Sequence, residues 1–375
     1  MSDSTANSEQ SSDSTHSTDE VTEVAIIGAG PIGLELAVAL RHHGVPYRHF
    51  EAGTIGQTIV DYPRQVRFFS SPERISIAGV PFVTTGQEKG TREEYLAYLR
   101  SVATQFQLVI ESQRRVTSLE RDSDQFRLIV HPTLGDQHAL APNAMGEVVK
   151  ARHVVLTFGD MHRSRQLGIS GEDLPHVAHR FTEPDAFFGR NLLIVGGRNS
   201  AVEAALRCHR AGARVHLSYR QSEFSKTSVK YWLLPDLMNQ IRHRRIGFSP
   251  ETIPVEITPT EVQLRSTDGR EESVVPADAV LLLIGYEQDP LLFDQIGVRR
   301  EGENGQPVIN LESMETEIPG LFVAGTAVAG TQIDFKLFIE NCHPHVERIV
   351  RKLTGKSAPF QTGDTSQVSA EHPES

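Results

Sequence analysis

Six residues near the N-terminus, Gly28-Ala29-Gly30-Pro31-Ile32-Gly33, have the spacing of a phosphate-cradling turn. Gly28 permits a tight turn, Gly30 lets a pyrophosphate approach the backbone, and Gly33 lets a helix pack closely on a strand. Pro31 and Ile32 belong to the same candidate site. An apolar run at 24–27 precedes the turn and reads as a buried parallel strand. A helical stretch at 34–43, closed by Gly44, follows it. A second strand at 47–50 then ends at Glu51, 18 residues after Gly33. A carboxylate there can accept hydrogen bonds from ribose hydroxyls. Strand, glycine turn, helix, strand and acid make up the dinucleotide-binding βαβ unit. Its helix N-terminus offers free N–H groups and a positive dipole end to phosphates.

The pattern recurs 168 residues later. Residues 192–195 form another apolar strand, followed by Gly196-Gly197-Arg198-Asn199-Ser200-Ala201. Gly28 aligns with Gly196, Glu35 with Glu203, Ala37 with Ala205 and Gly44 with Gly212. Two nucleotide folds in one chain point to two nucleotides and to electron transfer between them. The copies differ where selectivity is decided. Tyr219 stands where Glu51 stood, and Arg220 follows it. Loss of the acid removes repulsion of a 2′-phosphate, and an arginine can pair with one. Lys226 adds a second positive contact. Arg198 occupies the second glycine position, where its side chain crowds a pyrophosphate or clamps it.

Composition bounds the elements that must hold these turns. A chain of 375 residues has room for two or three domains. With 38% hydrophobic and 23% charged residues it reads as a soluble globular protein. No apolar run approaches the roughly 20 residues of a membrane span. Two cysteines exclude a disulfide scaffold and a four-cysteine zinc site. The net charge of −11 lies mainly at the ends, since segments 1–21 and 357–375 carry eight acids and no Lys or Arg. The weakly acidic remainder lacks the basic stripe of a nucleic-acid binder. The Ser/Thr-rich beginning has no signal-peptide pattern and reads as disordered, which favours a cytoplasmic protein. Sixteen histidines show no HExxH or Cys/His cluster, so no metal is expected.

Further stretches make the chain resemble two-dinucleotide flavoproteins of the thioredoxin-reductase type, and more closely the YpdA-like bacillithiol disulfide reductases, over roughly residues 22–355. These stretches are 153–159, 278–286 and 318–325, together with 199–205, 225–234, 338–341, Tyr62-Pro63 and 68–71. The resemblance implies an α/β protein of two Rossmann-like, three-layer ββα domains, the second inserted into the first. Residues 22–162 and 288–356 would bind FAD, and 163–287 would bind NADPH, between tails at 1–21 and 357–375. It places FAD on Gly28, Gly30, Pro31, Ile32, Gly33, Glu51, Gln57, Gly159, Gly325 and Thr326. NADPH falls to Gly196, Arg198, Asn199, Ser200, Ala201, Arg220 and Lys226.

Three departures stand out against that resemblance. There is no CxxC pair, and Ile32 stands where the bacillithiol-type branch has cysteine. Gly325-Thr326 replaces a Gly-Asp pair whose Asp holds the flavin ribityl chain. Of the two cysteines, Cys208 reads as helix–sheet packing. The resemblance sets the last helix's N-terminus against the flavin, where a positive dipole end would favour a Cys342 thiolate. Cys342 is therefore the candidate catalytic residue, and Trp232 reads as a packing anchor. The leading expectation is an NADPH-dependent flavoenzyme passing electrons to a small molecule, such as a low-molecular-weight thiol disulfide, with a homodimer as the assembly. A flavin monooxygenase, an NADPH:acceptor flavin reductase and a catalytically silent nucleotide sensor stay open.

Overall fold

The computed structural model describes residues 20–134, 139–226, 229–333 and 336–360. Segments 1–19 and 361–375, both assigned to tails, lie outside the described residues. Val21–Ile27 (β1), Tyr47–Glu51 (β2), Glu111–Ser112 (β3), Arg114–Asp122 (β4), Gln125–Leu134 (β5), Ala139–Leu140 (β6) and Glu147–Leu156 (β7) build most of the first sheet. β1 lies parallel between β2 and β7, with Val24 beside both Tyr47 and His153. Burial on both faces explains why four apolar residues run consecutively there. β4 and β5 form an antiparallel pair, and β5 lies antiparallel to the first half of β7. The helices on this part of the chain are Pro31–His42 (α1), Gln57–Val60 (α2) and Arg92–Gln105 (α3). α3 starts on a capping box in which Thr91 and Glu94 satisfy each other's amides.

The chain leaves this sheet through Arg163–Ser164 (β8). A second unit follows, with Val177–Ala178 (β9), Asn191–Val195 (β10), Arg214–Tyr219 (β11), Gly247–Pro250 (β12), Thr252–Ile257 (β13), Glu261–Ser266 (β14), Glu272–Pro276 (β15) and Ala279–Leu282 (β16). Five of these make a parallel sheet in the order β12-β11-β10-β16-β9, while β13, β14 and β15 form a separate antiparallel sheet. Asn199–Arg210 (α4) and Leu234–Arg242 (α5) pack on the parallel one. The return strand, Tyr286–Glu287 (β17), pairs directly with β8, setting Tyr286 opposite Ser164. Leu291–Ile296 (α6), Arg300–Glu301 (β18), Gln306–Pro307 (β19), Leu321–Val323 (β20) and Ile339–Thr354 (α7) complete the described chain.

β20 rejoins the first sheet beside β7, with Leu321 next to Val154. The protein is thus an α/β fold with two dinucleotide-type sheets, the second wholly parallel and the first mixed, its parallel strands extended by antiparallel β5, β4 and β6. α7 packs on α1 through a core that includes Ile32, Leu36, Leu40, Val346 and Ile349. A buried ion pair crosses the same contact, with His343 Nδ1 2.7 Å from Glu35 Oε2. Both tail boundaries need correction, since Glu20 is described and Val21 opens β1 beside Lys150. Residues 357–360, assigned to the C-terminal tail, are described and docked. Phe360 packs beside Gly79, and His43 Nε2 donates to Ser357 O at 2.9 Å. The ring of Phe360 supplies this otherwise polar stretch with an apolar anchor on the core.

Candidate functional site

Each glycine of the first turn answers a measurable constraint. Gly28 has φ +111°, and a Cβ there would sit 2.7 Å from Thr157 O. At Gly33 a Cβ would lie 2.1 Å from Gly28 O, so the close helix–strand contact excludes any side chain. A Cβ on Gly30 would meet nothing within 4 Å, which leaves open space at the mouth of the turn. Leu34 N makes the first intrahelical bond, to Gly30 O at 3.0 Å. The preceding amides of Ile32 and Gly33 are therefore the unsatisfied first-turn donors. Pro31 at the helix start sacrifices no bond. Backbone approach, free amides and a positive helix end suit a pyrophosphate.

Glu51 closes this turn from β2. Its Oε2 accepts from Ala29 N at 2.7 Å and its Oε1 from Gly53 N at 2.8 Å. Burial pushes its pKa up, while the two amides oppose that rise. Each oxygen keeps a further lone pair for a ribose hydroxyl. Gln57 is buried beside it, accepting from Thr54 N at 3.1 Å and donating to Asp61 Oδ1 at 2.9 Å. In this structure Gln57 shapes the 53–57 loop.

The ends of β7 and β20 come together over the turn. A Cβ on Gly159 would lie 3.6 Å from Thr326 Oγ1, and one on Gly325 would lie 3.5 Å from Ile32 Cβ. Gln288 Nε2 ties the two ends by donating to Gly159 O and Ala327 O, both at 3.0 Å. Asp160 is the residue that sequence reasoning missed. Its buried carboxylate accepts from Gln332 Nε2 at 2.8 Å and is hydrogen-bonded by Thr326. Burial raises its pKa against those bonds. A carboxylate absent at 326 is thus present one residue after Gly159. The doublet Gly159-Asp160 was the available signal, but only strand pairing shows that it faces Thr326.

The second turn repeats the first with different side chains. Gly196 has φ +139°, and a Cβ there would lie 2.4 Å from Leu283 O. The ring of Tyr219 covers Gly197 and stacks on Phe224 with centroids 5.5 Å apart. Val202 N bonds Arg198 O at 3.0 Å, leaving Ser200 and Ala201 amides in the unsatisfied first turn. Ser200 is exposed, Ala201 is buried, and Asn199 Oδ1 accepts from Lys230 N at 2.6 Å. Arg198 was expected at the pyrophosphate. Its guanidinium instead donates to Ile333 O, across to the segment between β20 and α7. Arg220 directly follows β11 and Lys226 lies six residues further on; both are exposed, with no ion pair among the described residues.

The two units also meet through the 61–69 loop. Phe69 stacks on Trp232, with centroids 6.0 Å apart and planes 18° apart. Lys230 Nζ donates to Arg67 O at 3.0 Å and pairs with Glu203 at 3.1 Å. Arg207 donates to Arg64 O at 2.7 Å, and Arg180 pairs with Asp61. Trp232 is an anchor between units.

The cysteines correct an expectation. Cys342 sits in the α1–α7 core at 0% exposure. Burial, followed by the nearby carboxylates of Asp160 and Glu35, pushes its thiol well up rather than down. The helix dipole cannot offset that desolvation, so Cys342 is not a thiolate here. Ile32, at the other expected thiol position, lies in the same core. Cys208 is also buried, and its thiol is pushed up to about 12. Among the described residues, no three His, Cys, Asp or Glu side chains gather as a metal site, and no helix is long and apolar enough to cross a membrane.

A pyridine nucleotide-disulphide oxidoreductase family model matches residues 25–325. The bacilliredoxin reductase Bdr of Bacillus subtilis is 31% identical over 88% of this chain and 96% of its own length. Among solved structures, bacillithiol disulfide reductase Bdr (YpdA) from Staphylococcus aureus has a TM-score of 0.81 at 30% identity, covering 90% of this chain and 99% of that one. The Bacillus cereus counterpart has a TM-score of 0.82 at 31% identity, covering 89% and 99%.

Proposed function

Because the chain belongs to the pyridine nucleotide-disulphide oxidoreductase family, whose members use FAD and NADPH, we propose that it passes electrons from NADPH through FAD to a low-molecular-weight thiol disulfide. The observation that carries this reading is the pair of glycine turns, one at the end of the parallel strands of each sheet, with Glu51 closing the first and Arg220, which has no ion pair among the described residues, beside the second. FAD bound at the first turn would supply two-electron transfer between the nucleotide and the acceptor. The first turn would hold its pyrophosphate on the Ile32 and Gly33 amides and its ribose on Glu51. Thr326 and Asp160 would receive its hydroxyls, and Gln288 holds their two strand ends in register. At the second turn, Ser200 and Ala201 amides would take the NADPH pyrophosphate, and Arg220 with Lys226 its 2′-phosphate. The net change is NADPH, a proton and a disulfide to NADP⁺ and two thiols.

The disulfide acceptor rests on the activity named for the relatives, whereas a cytoplasmic homodimer that binds no nucleic acid is carried only by the sequence reading. The burial of both cysteines favours a second reading, an NADPH:acceptor flavin reductase with no protein thiol in the electron path. Anaerobic addition of NADPH to the purified yellow protein should bleach the flavin band, and bacillithiol disulfide should restore it. Restoration by quinones or dyes but not by the disulfide selects the second reading. Protein that is colourless, or that NADPH does not bleach, overturns both.

A further inference from the structure

One cleft outside the two glycine turns has no part in this chemistry. It measures about 600 Å³ and lies at the starts of β10 and β11, at the end of the sheet opposite the glycine turn. Its lining includes Asn191, His209, Arg214, His216, Arg244 and Arg245, and no Asp or Glu. In a chain of net charge −11, three guanidiniums without a carboxylate form a local reversal of sign.

These arginines are not consumed by the fold. Arg214 spends only Nε, on Asn191 Oδ1 at 2.7 Å. Arg244 and Arg245 are exposed, beyond the end of α5, and have no ion pair among the described residues. Neighbouring Arg210 shows the contrast, since it is matched by Asp236. Arg244 is also held at φ +56°, the left-handed region that a non-glycine residue seldom adopts. His216 donates or accepts at Ser249 Oγ, 2.8 Å away, and burial lowers its pKa, so it serves as a neutral polar wall. Val215, Val275 and Pro276 add an apolar floor.

We propose that this cleft binds a small molecule carrying two or more phosphoryl groups. Planar guanidinium forks match pairs of phosphoryl oxygens, and three of them around one cleft match the charge of a di- or triphosphate. The volume is that of a small-ligand pocket.

The test uses the FAD-loaded full chain with tripolyphosphate as the probe, in about 0.15 M salt to screen diffuse attraction. Saturating NADP⁺ keeps the probe off the second glycine turn. Calorimetry should give a Kd below about 1 mM, and Arg244→Ser with Arg245→Ser should weaken it at least about 10-fold. Both residues are exposed, and unchanged NADPH reduction of the flavin verifies that the variant is folded. Absence of binding, its abolition by NADP⁺, or an unchanged Kd in the double variant would each overturn the proposal. None of these outcomes touches the flavin reading.

Discussion

On the proposed reading, the Arg220 guanidinium would decide between two nucleotides that differ by one phosphate. It is exposed and has no ion pair among the described residues, so the charge is available. A charge-assisted phosphate contact contributes about 1.5–3 kcal/mol, so Arg220→Ala should raise KM for NADPH roughly 10- to 100-fold. KM for NADH should barely move, and equal effects on both would remove the 2′-phosphate assignment. Asp160→Asn keeps the size and the acceptor for Gln332 but deletes the charge beside Thr326. Fluorescence titration of apoprotein with FAD should show affinity falling about 10-fold, and an unchanged Kd would leave Asp160 a purely structural role. Cys342→Ser should leave NADPH reduction of the flavin and any disulfide turnover intact, because the buried thiol is protonated. Loss of disulfide turnover alone would restore Cys342 as the relay.

Among elements, the contact of α1 with the turn after β1 tolerates no side chain at Gly33. Alanine in place of a helical glycine normally gains up to about 1 kcal/mol. At Gly33 that gain loses to a Cβ placed 2.1 Å from a backbone carbonyl, which forces α1 off the strand. Overpacking of this kind costs about 1–3 kcal/mol, so Gly33→Ala should lower the melting temperature and weaken FAD retention together. A variant as stable and as yellow as the parent would show that the helix can lift freely. The βαβ elements were legible because buried parallel strands write themselves as unbroken apolar runs and the turns as glycines. The pair β4 and β5 was not: a bulge between Val116 and Ser118 breaks the alternation of β4, leaving only β5 to alternate cleanly through Phe126, Leu128 and Val130. Site residues followed the same division. Backbone roles at Gly28 and Gly33 could be read locally, whereas Arg198 reaching Ile333 and Asp160 meeting Thr326 depend on segments far apart in the chain.

Across the whole molecule, one buried pair makes stability depend on pH. His343 donates from Nε2 to Arg74 O at 3.0 Å and from Nδ1 to Glu35, so both nitrogens carry protons. Burial disfavours that charge, but the Glu35 bond and attraction outweigh it, and the pKa of His343 is raised. A raised folded pKa gives stability that is complete below the unfolded value of about 6.5 and is lost as pH climbs through the folded value. His343→Gln should therefore destabilise the protein strongly at pH 6 and much less at pH 9, as read by urea midpoints. A pH-independent loss would mean that the histidine is neutral in the folded state.

The pairing of β8 with β17 places Ser164 opposite Tyr286, so the chain leaves the first sheet and returns to it side by side. Residues 165–285 are consequently a cassette with adjoining ends. On the proposed reading, a foreign pyridine-nucleotide unit would splice between Ser164 and Tyr286 across adjoining ends, and a short glycine link over the same gap would leave a flavin-only miniature, reducible by dithionite but deaf to NADPH.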